Sequence, residues 1–592
     1  MNADRADTGD LGGLLAQALA KACQGPDHLL RATIQKLWNE RALGHVCLRL
    51  ADWQQRADDS GGVLPALSEW SAGLRLTGLC ADGATDAPRL PLVLDAEDRL
   101  YLRRDFVAER TIARFVQRRL AEPPRLSALQ VRDAFAALAF RPAVGVDIDW
   151  QLVAVAAAAR SSFALLTGGP GTGKTTTVAR LLAVLLHHEP TLRIALCAPT
   201  GKAASRLGDA LRQRENELTA LVPLLARTQP TTLHRLLQYL PIGDSFRVSA
   251  RAPLAYDVVI VDEASMVDPA LLAVLCDALP SSARLLLVGD RDQLAAVAAG
   301  QVLGDLCRHA APELGAGEAL AAFVREALSV TLPIRVDAPA IANVVVALRT
   351  NYRFGQQLGI GAFATALARR EPAAALAALQ QGHSDLVLAS NATAAMAMLA
   401  PALLRAARPQ EAEHTAQRLA GVRILTATRH GQNGTDAWNR RVEALLAQHG
   451  VRVEDPYYPG RPILVTANDY QNRLYNGDLG VVVRDHDRDG DGQTHVCFAT
   501  GHGEVRKVAP RRLPAHETAW AMTVHKAQGS EFDEVLLVMP ERLGPLWQAS
   551  LIYTGITRAR QRAIVLAEAT WLVEALALWP QRSSGLAEAL RS

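Results

Sequence analysis

No two cysteines stand in a CxxC pair, and the seven present (Cys23, Cys47, Cys80, Cys197, Cys276, Cys307, Cys497) are scattered along 592 residues. That spacing argues against a zinc site or a disulfide framework and suits a reducing compartment. No run of about 18 apolar residues occurs, so no membrane span is expected. The first residues, Met1-Asn2-Ala3-Asp4-Arg5, carry no apolar signal core. Charge of one sign is also scarce, with a net +3 and a pI near 8.5. So small an excess neither establishes nor excludes nucleic acid, because a basic track along one groove does not show in a bulk count. The expectation is a soluble, cytoplasmic protein.

Hydrophobic residues make up 49% and charged residues 21%, ordinary for a globular chain, and the length calls for three or four domains. Leucine recurs at helical spacing through the alanine-rich stretches Ala374–Leu379 and Ala392–Ala407, which read as helices with a compositional bias. Residues 1–125 read as amphipathic helices with a few short strands and no catalytic spacing. Glu109–Leu120 is their last helix, and Glu122-Pro123-Pro124 is a linker signal. From about Asp147 the pattern changes. Phe163–Thr167, Arg193–Cys197, Asp257–Val261 and Arg284–Val288 are short apolar runs, each followed by a polar or glycine-rich loop. With helical segments between them they imply a parallel sheet covered on both faces, whose ligands gather at the carboxyl ends of the strands. A second α/β region begins near Thr350, with strands at Val422–Ala427, Val535–Val538 and Ala563–Leu566. Pro462–Thr466, Leu479–Val483, His495–Ala499 and Glu504–Val508 suggest a small β-barrel inserted into it.

The strongest chemical signal is Gly168-Gly169-Pro170-Gly171-Thr172-Gly173-Lys174-Thr175-Thr176, between a strand and a helix. Glycines let backbone N–H groups turn inward around phosphates, and the helix N-terminus adds a favourable dipole. Lys174 can reach the β- and γ-phosphates of ATP, and the Thr175 hydroxyl can ligate Mg²⁺. Asp262-Glu263 ends a later strand. Two carboxylates there are usually a solvated helix cap, but downstream of a phosphate loop they suit Mg²⁺ binding by Asp262 and polarisation of the attacking water by Glu263. Gln293, in Gly289-Asp290-Arg291-Asp292-Gln293-Leu294, has an amide that can donate to a γ-phosphate and accept from water. Two look-alikes are set aside. Asp485-His486-Asp487-Arg488-Asp489-Gly490 begins like a calcium loop but has Val496 at the twelfth position, and His187-His188 has no further ligand nearby.

Asp262-Glu263-Ala264-Ser265 followed by Gly289-Asp290-x-x-Gln293-Leu294 resembles motifs II and III of the superfamily 1 helicases, and further matches follow in that family's order. Asp149-Trp150-Gln151 resembles the Q-motif, which implies that Gln151 reads the adenine edge. Ala198-Pro199-Thr200-Gly201-Lys202-Ala203-Ala204 resembles motif Ia, and Thr231-Thr232-Leu233-His234-Arg235 the segment after it. Asn351-Tyr352-Arg353-Phe354 resembles motif IV, Met522-Thr523-Val524-His525-Lys526-Ala527-Gln528-Gly529-Ser530-Glu531-Phe532 motif V, and Tyr553-Thr554-Gly555-Ile556-Thr557-Arg558-Ala559-Arg560 motif VI. The resemblance implies a DNA track along Pro199, Thr200, His234, Thr523 and His525. It also implies two γ-phosphate arginines, Arg353 and Arg558, facing the P-loop across a cleft between two domains. Together these motifs look like the RecD family in particular, over about Asp147–Leu566, with Tyr475-Asn476-Gly477-Asp478-Leu479-Gly480 resembling that family's turn in the inserted barrel. The Asn476-Gly477 pair suits a tight hairpin. Asn351 and Gly555 depart from the usual Ser and Ala, and neither bears a group needed for phosphate contact.

The expected architecture is thus α/β. A mainly helical N-terminal docking domain (1–125) precedes a RecA-like P-loop domain (140–349). A second RecA-like domain (350–455 and 514–592) carries an SH3-like β-barrel insertion (456–513). By resemblance the function is an ATP- and Mg²⁺-dependent 5′–3′ helicase on single-stranded DNA at duplex ends, partnered by RecB and RecC in the RecBCD helicase–nuclease of double-strand-break repair and linear-DNA degradation. The chain shows no strand-borne nuclease cluster of its own. A stand-alone RecD-like helicase would carry a longer N-terminal extension with helix-hairpin-helix elements. A P-loop switch without translocation would have no use for a second motor domain.

Overall fold

A computed structural model describes residues 14–591 except 16, 20, 22–26, 60–63, 84–88, 144, 216, 220, 354–357, 409–418, 420, 470, 485–492, 500–504, 543 and 580. The calcium-loop look-alike at 485–490 and Phe354 lie outside the described residues. His187 and His188 end the helix Lys174–His188.

The four apolar runs of the first motor domain form a wholly parallel sheet together with two strands the sequence pattern had not marked. In order across the sheet these are Val345–Leu348, Phe163–Gly168, Arg284–Gly289, Val258–Val261, Ile194–Ala198 and Thr231–Thr232. Its strands are buried on both faces, which is why they read as continuous rather than alternating hydrophobic runs. One covering helix, Trp150–Arg160, is buried from Gln151 to Ala159. Its run of alanines lets it lie close to the sheet, and Asp149 caps it by accepting from the N–H groups of Gln151 and Leu152.

The second motor sheet is also parallel, in the order Leu386–Ala389, Ala559–Leu566, Phe532–Val538, Val422–Thr426 and Ala521–Thr523. Two such parallel sheets, each wrapped by helices, are the pair of RecA-like domains expected. Inserted in the second is a five-stranded antiparallel sheet, ordered Val505–Val508, Thr494–Ala499, Leu479–Arg484, Pro462–Val465 and His516–Thr518, over its own core of Ile463, Val465, Leu474, Val482, Val496 and Phe498. Its last strand lies beyond residue 513. Asn476-Gly477 makes a β-turn, with Gly477 at φ +97° and the Asp478 N–H donating to Tyr475 O at 2.9 Å. The expected tight hairpin is not formed. Gly477 N–H instead donates back to Val465 O and the Asp478 carboxylate accepts from Tyr475 N–H, so the turn folds onto the neighbouring strand.

The N-terminal region pairs the helices Asp27–Ala42, Leu50–Asp59 and Leu67–Leu76 with a four-stranded sheet (Cys47–Arg49, Arg99–Leu102, Leu92–Leu94, Cys80–Ala81) around the buried Trp70. Its last helix, Arg103–Leu120, leaves this core. Ala108, Ile112, Ala113 and Val116 join the core of the first motor domain beside Phe163 and Val259. Glu122 is no loose linker either, because it accepts from Ser162 Oγ at 2.5 Å and from Arg125 at 2.8 Å. At the other end of the chain, residues 582–591 leave the second motor domain and return to the first. Arg582 donates to the carbonyls of Ala296, Ala298 and Gly300, and Leu586 and Ala589 are buried with Val302 and Leu306.

Candidate nucleotide and DNA site

The P-loop joins the strand Phe163–Gly168 to the helix Lys174–His188, with Gly171 at φ +79° and Gly173 at φ +84°. A Cβ on Gly171 would overlap Arg353, and one on Gly173 would overlap the Gln151 amide, so both packing and backbone conformation demand glycine. Lys174 Nζ lies 2.7 Å from Gly168 O and 3.1 Å from Gly169 O, inside the loop. The Thr172 hydroxyl donates to Gly169 O at 2.8 Å. Pro170 O accepts from Asn351 at 3.0 Å. Thr175 and Thr176 open the helix, half-buried beside the loop. Gln151 sits under the loop, donating to Thr172 O at 3.1 Å while its oxygen accepts from Arg180 at 3.1 Å.

Asp262 and Glu263 follow the neighbouring strand but one. Burial, and then the charge of Glu263, push the Asp262 carboxyl up, while the Lys174 ammonium and Arg206 hold it down. Two carboxylates sharing a site in this way favour a bound cation. Glu263 has φ +51°, a left-handed conformation that costs a non-glycine residue about 1 kcal/mol or more. The Thr175 hydroxyl and the Asp262 carboxylate are oxygen donors of the kind that Mg²⁺ takes.

The third strand leads into the seam between the motor domains. Gln293 Nε2 donates to Asp290 at 3.0 Å, and its buried Oε1 has no hydrogen-bond partner among the described residues. The second domain reaches the same segment three times. Tyr553 OH donates to Asp290 at 3.1 Å, Thr554 Oγ accepts from Leu294 N–H at 2.9 Å, and Gln528 donates to Leu294 O at 2.8 Å. None of these three was singled out from the sequence. Each lies inside a matched motif, which is the signal that could have found it.

The expectation that both arginines face the P-loop from the second domain is corrected for one of them. Arg353 follows the last strand of the first sheet. Tyr352 N–H donates to Gly171 O at 2.9 Å, and the Asn351 side chain accepts from Arg353 N–H at 3.0 Å while donating to Pro170. Arg353 is therefore built onto the rim of the P-loop. Asn351, set aside as a neutral departure, is the residue that holds it there. Arg558 does come from the second domain, buried, donating to Thr554 O at 3.2 Å. Gly555, the other departure, is explained by packing, since a Cβ there would lie 2.7 Å from Leu537.

Along the proposed track, Pro199 and Thr200 follow the strand Ile194–Ala198. The Thr200 hydroxyl caps the helix Gly201–Arg212 through Ala203 N–H at 3.2 Å. Pairing of Ala198 with Thr232 sets His234 beside them, exposed and edge-on to Tyr239 at 5.4 Å, with Phe246 completing an aromatic group. Thr523 and His525 lie at the end of the edge strand Ala521–Thr523 of the second sheet. The two stretches meet at Gly529, whose carbonyl accepts from Arg206 at 2.8 Å.

A P-loop and carboxylate pair on one RecA-like domain, bonded through its third motif to a second such domain that supplies a buried arginine, define a superfamily 1 helicase motor. Residues 151–299 match the AAA domain model, and residues 518–566 match the UvrD-like helicase C-terminal domain. The chain is 37% identical over 566 residues to the RecBCD enzyme subunit RecD of Mycobacterium tuberculosis, covering 93% of this chain and 89% of that protein. It is 34% identical to the RecD subunit of Haemophilus influenzae (75% and 72% covered) and 32% identical to the ATP-dependent RecD2 DNA helicase of Deinococcus radiodurans (84% and 59% covered). Among solved structures, a Pif1 helicase on forked DNA aligns with 72% of this chain and 94% of its own, at a TM-score of 0.38 and 15% identity. The chain belongs to the RecD family of ATP-dependent DNA helicases.

Proposed function

We propose that this chain is the 5′–3′ single-stranded DNA translocase of a RecBCD-type helicase–nuclease, acting at duplex ends in the cytoplasm with RecB and RecC, and holding no nuclease centre itself. The observation that carries the motor reading is the seam, where Asp290 and Leu294 of one domain bond Tyr553, Thr554 and Gln528 of the other. ATP with Mg²⁺ supplies the cleavable phosphoanhydride. The glycine loop and Lys174 bind its phosphates, Thr175 and Asp262 hold the ion, Glu263 orients water, and Gln293 senses the terminal phosphate. Arg353 and Arg558 stabilise charge on the transferred group. Tyr352, half-exposed beside the P-loop, offers a planar apolar face for the base, and Gln151 braces the loop from beneath while its remaining N–H meets the adenine edge.

Pro199, Thr200 and His234 on one sheet edge, and Thr523 and His525 on the other, grip successive stretches of the strand. Cleft closure and opening then move one grip relative to the other. The five-stranded insertion serves as a small SH3-like barrel beside this track, and the mainly helical N-terminal region docks the partner subunits.

Lys174→Gln tests the core of this reading. Steady-state hydrolysis should fall by about 10²-fold or more, since a charge aimed at phosphate is lost, while the melting temperature is retained. Hydrolysis near the wild-type rate would remove the P-loop assignment. Unwinding of 5′- and 3′-tailed duplexes then decides the polarity.

A further inference from the structure

One carboxylate at the seam gathers arginines from three elements. Glu531 Oε1 lies 2.9 Å from Arg206 Nη2 and 2.8 Å from Arg353 Nη2, and its Oε2 lies 3.2 Å from Arg560 Nε. Burial raises the Glu531 pKa, but Arg206, Arg353 and Arg558 outweigh it and hold the carboxyl far below the ordinary range, so it stays charged. Two of these arginines are the γ-phosphate pair already described. Arg206 is of a different kind, because it stands on the helix Gly201–Arg212, whose first turn is capped by the track residue Thr200. Six residues of helix place Arg206 about 9 Å further along the same rigid rod. There its second prong donates to Gly529 O at 2.8 Å, so it clasps the second motor domain by backbone and side chain at once. A planar guanidinium with two such partners fixes direction as well as distance.

The helix has little freedom to move without carrying this clasp. Ala203, Ala204, Leu207 and Leu211 are buried on its inner face, Gly208 packs against Pro230, and Gly201 lies under the Tyr475 ring. A displacement at Thr200 therefore reaches Glu531 through one helix and one ion pair. Because Arg206 and Arg353 share the same Glu531 oxygen, a shift of one changes how firmly the carboxylate holds the other.

We infer that Arg206 and Glu531 are positioning residues that couple occupancy of the DNA track to hydrolysis, by tying the Gly201–Arg212 helix to the phosphate-facing arginine Arg353. This rests on the motor reading above. The test measures ATP turnover of the full-length chain with and without a single-stranded oligothymidylate, together with the oligothymidylate Kd. In Arg206→Ala, the ratio of DNA-stimulated to basal kcat should fall by about tenfold or more while DNA affinity stays within about threefold of wild type, so that any effect of the lost charge beside Asp262 on the basal rate is divided out. Arg206→Lys keeps the charge but cannot span both partners, so its stimulated kcat should fall between the two. Glu531→Gln should lose stimulation as well, and the double variant should be no worse than the poorer single one, the mark of a shared link. Stimulation that survives in Arg206→Ala, or that returns on raising the oligothymidylate concentration, would overturn the coupling role and leave the helicase reading standing. A wild-type chain with no stimulation at all would overturn both.

Discussion

At the residue scale, the two arginines proposed to face the terminal phosphate have different neighbours and should fail differently. Arg353 is half-buried at the P-loop rim, its backbone held by Asn351, so Arg353→Ala removes charge without opening a core. Its kcat should fall by about 10³-fold, with a smaller change in KM for ATP and an unchanged melting temperature. Arg558 is buried and donates to the carbonyls of Thr554 and Ser530. Alanine there would empty a buried site and remove the donor to Ser530 O, while Thr554 O keeps the Thr557 hydroxyl, so Arg558→Lys is the cleaner probe. It should lower kcat by a comparable factor while largely keeping the fold. If both variants turn over normally, neither arginine faces the transferred phosphate. Candidates for this site could be named because phosphate chemistry demands fixed residue types at fixed spacing. That Asn351 supports Arg353 was not legible, because the spacing of a motif says nothing about which backbone its side chain will meet.

At the element scale, the returning C-terminal segment is held by an unusual group. Glu109, on the helix Arg103–Leu120, accepts from Ser584 Oγ at 2.6 Å and from Gly585 N–H at 2.9 Å. Burial drives its carboxyl from the ordinary 4.5 up to about 8, with the bond from Ser584 opposing and Asp305 adding to the rise. Between those two values the folded chain keeps a proton that the unfolded chain has lost, so this group's contribution makes stability fall as pH rises from 4.5 to 8. Glu109→Gln keeps one acceptor oxygen for the Gly585 N–H, can donate its amide N–H to the Ser584 hydroxyl, and cannot ionise. Its melting temperature should decline less than that of wild type across this window, as followed by circular dichroism at stepped pH. Equal slopes would mean that Glu109 ionises normally. Strands and helices were largely visible in the sequence, to within a residue for the four runs of the first motor domain. The strands expected at Val535–Val538 and Ala563–Leu566 begin instead at Phe532 and Ala559, in charged stretches that hide the strand period. The edge strands Thr231–Thr232 and Ala521–Thr523 were not visible, being too short to show a hydrophobic period.

At the scale of the whole molecule, the N-terminal region is anchored to the motor through its last helix, through the returning C-terminal segment, and through Gly44, whose carbonyl accepts from Gly300 N–H at 2.9 Å. The helix Arg103–Leu120 runs into the first motor core, and Ser583 and Ser584 bind back to Val46, His45 and Glu109. A truncation meant to test partner docking must therefore spare Arg103 onward, since a cut at residue 110 would take Ala108 out of the motor core. Deleting residues 1–101 should leave DNA-stimulated ATPase measurable, at a lower melting temperature, while abolishing co-purification with RecB and RecC. A truncated chain that still joins the complex would place the docking surface on the motor domains.

What the amino-acid sequence determined by itself was the residue types and the succession of elements: a glycine loop, a carboxylate pair and the segment holding Gln293, each after a buried strand, and an arginine directly before the strand Ala559–Leu566. These are local facts, since the backbone conformations and donor types that bind phosphate are confined to a few neighbouring residues. Only the tertiary structure decided which domain owns Arg353, how Tyr553, Thr554 and Gln528 close the seam, and why Glu531 draws together Arg206, Arg353 and Arg560. Those contacts join residues as far apart as 206 and 531. Charge and hydrogen-bonding capacity show that such partners are needed, but the packing of two sheets against each other selects which ones meet.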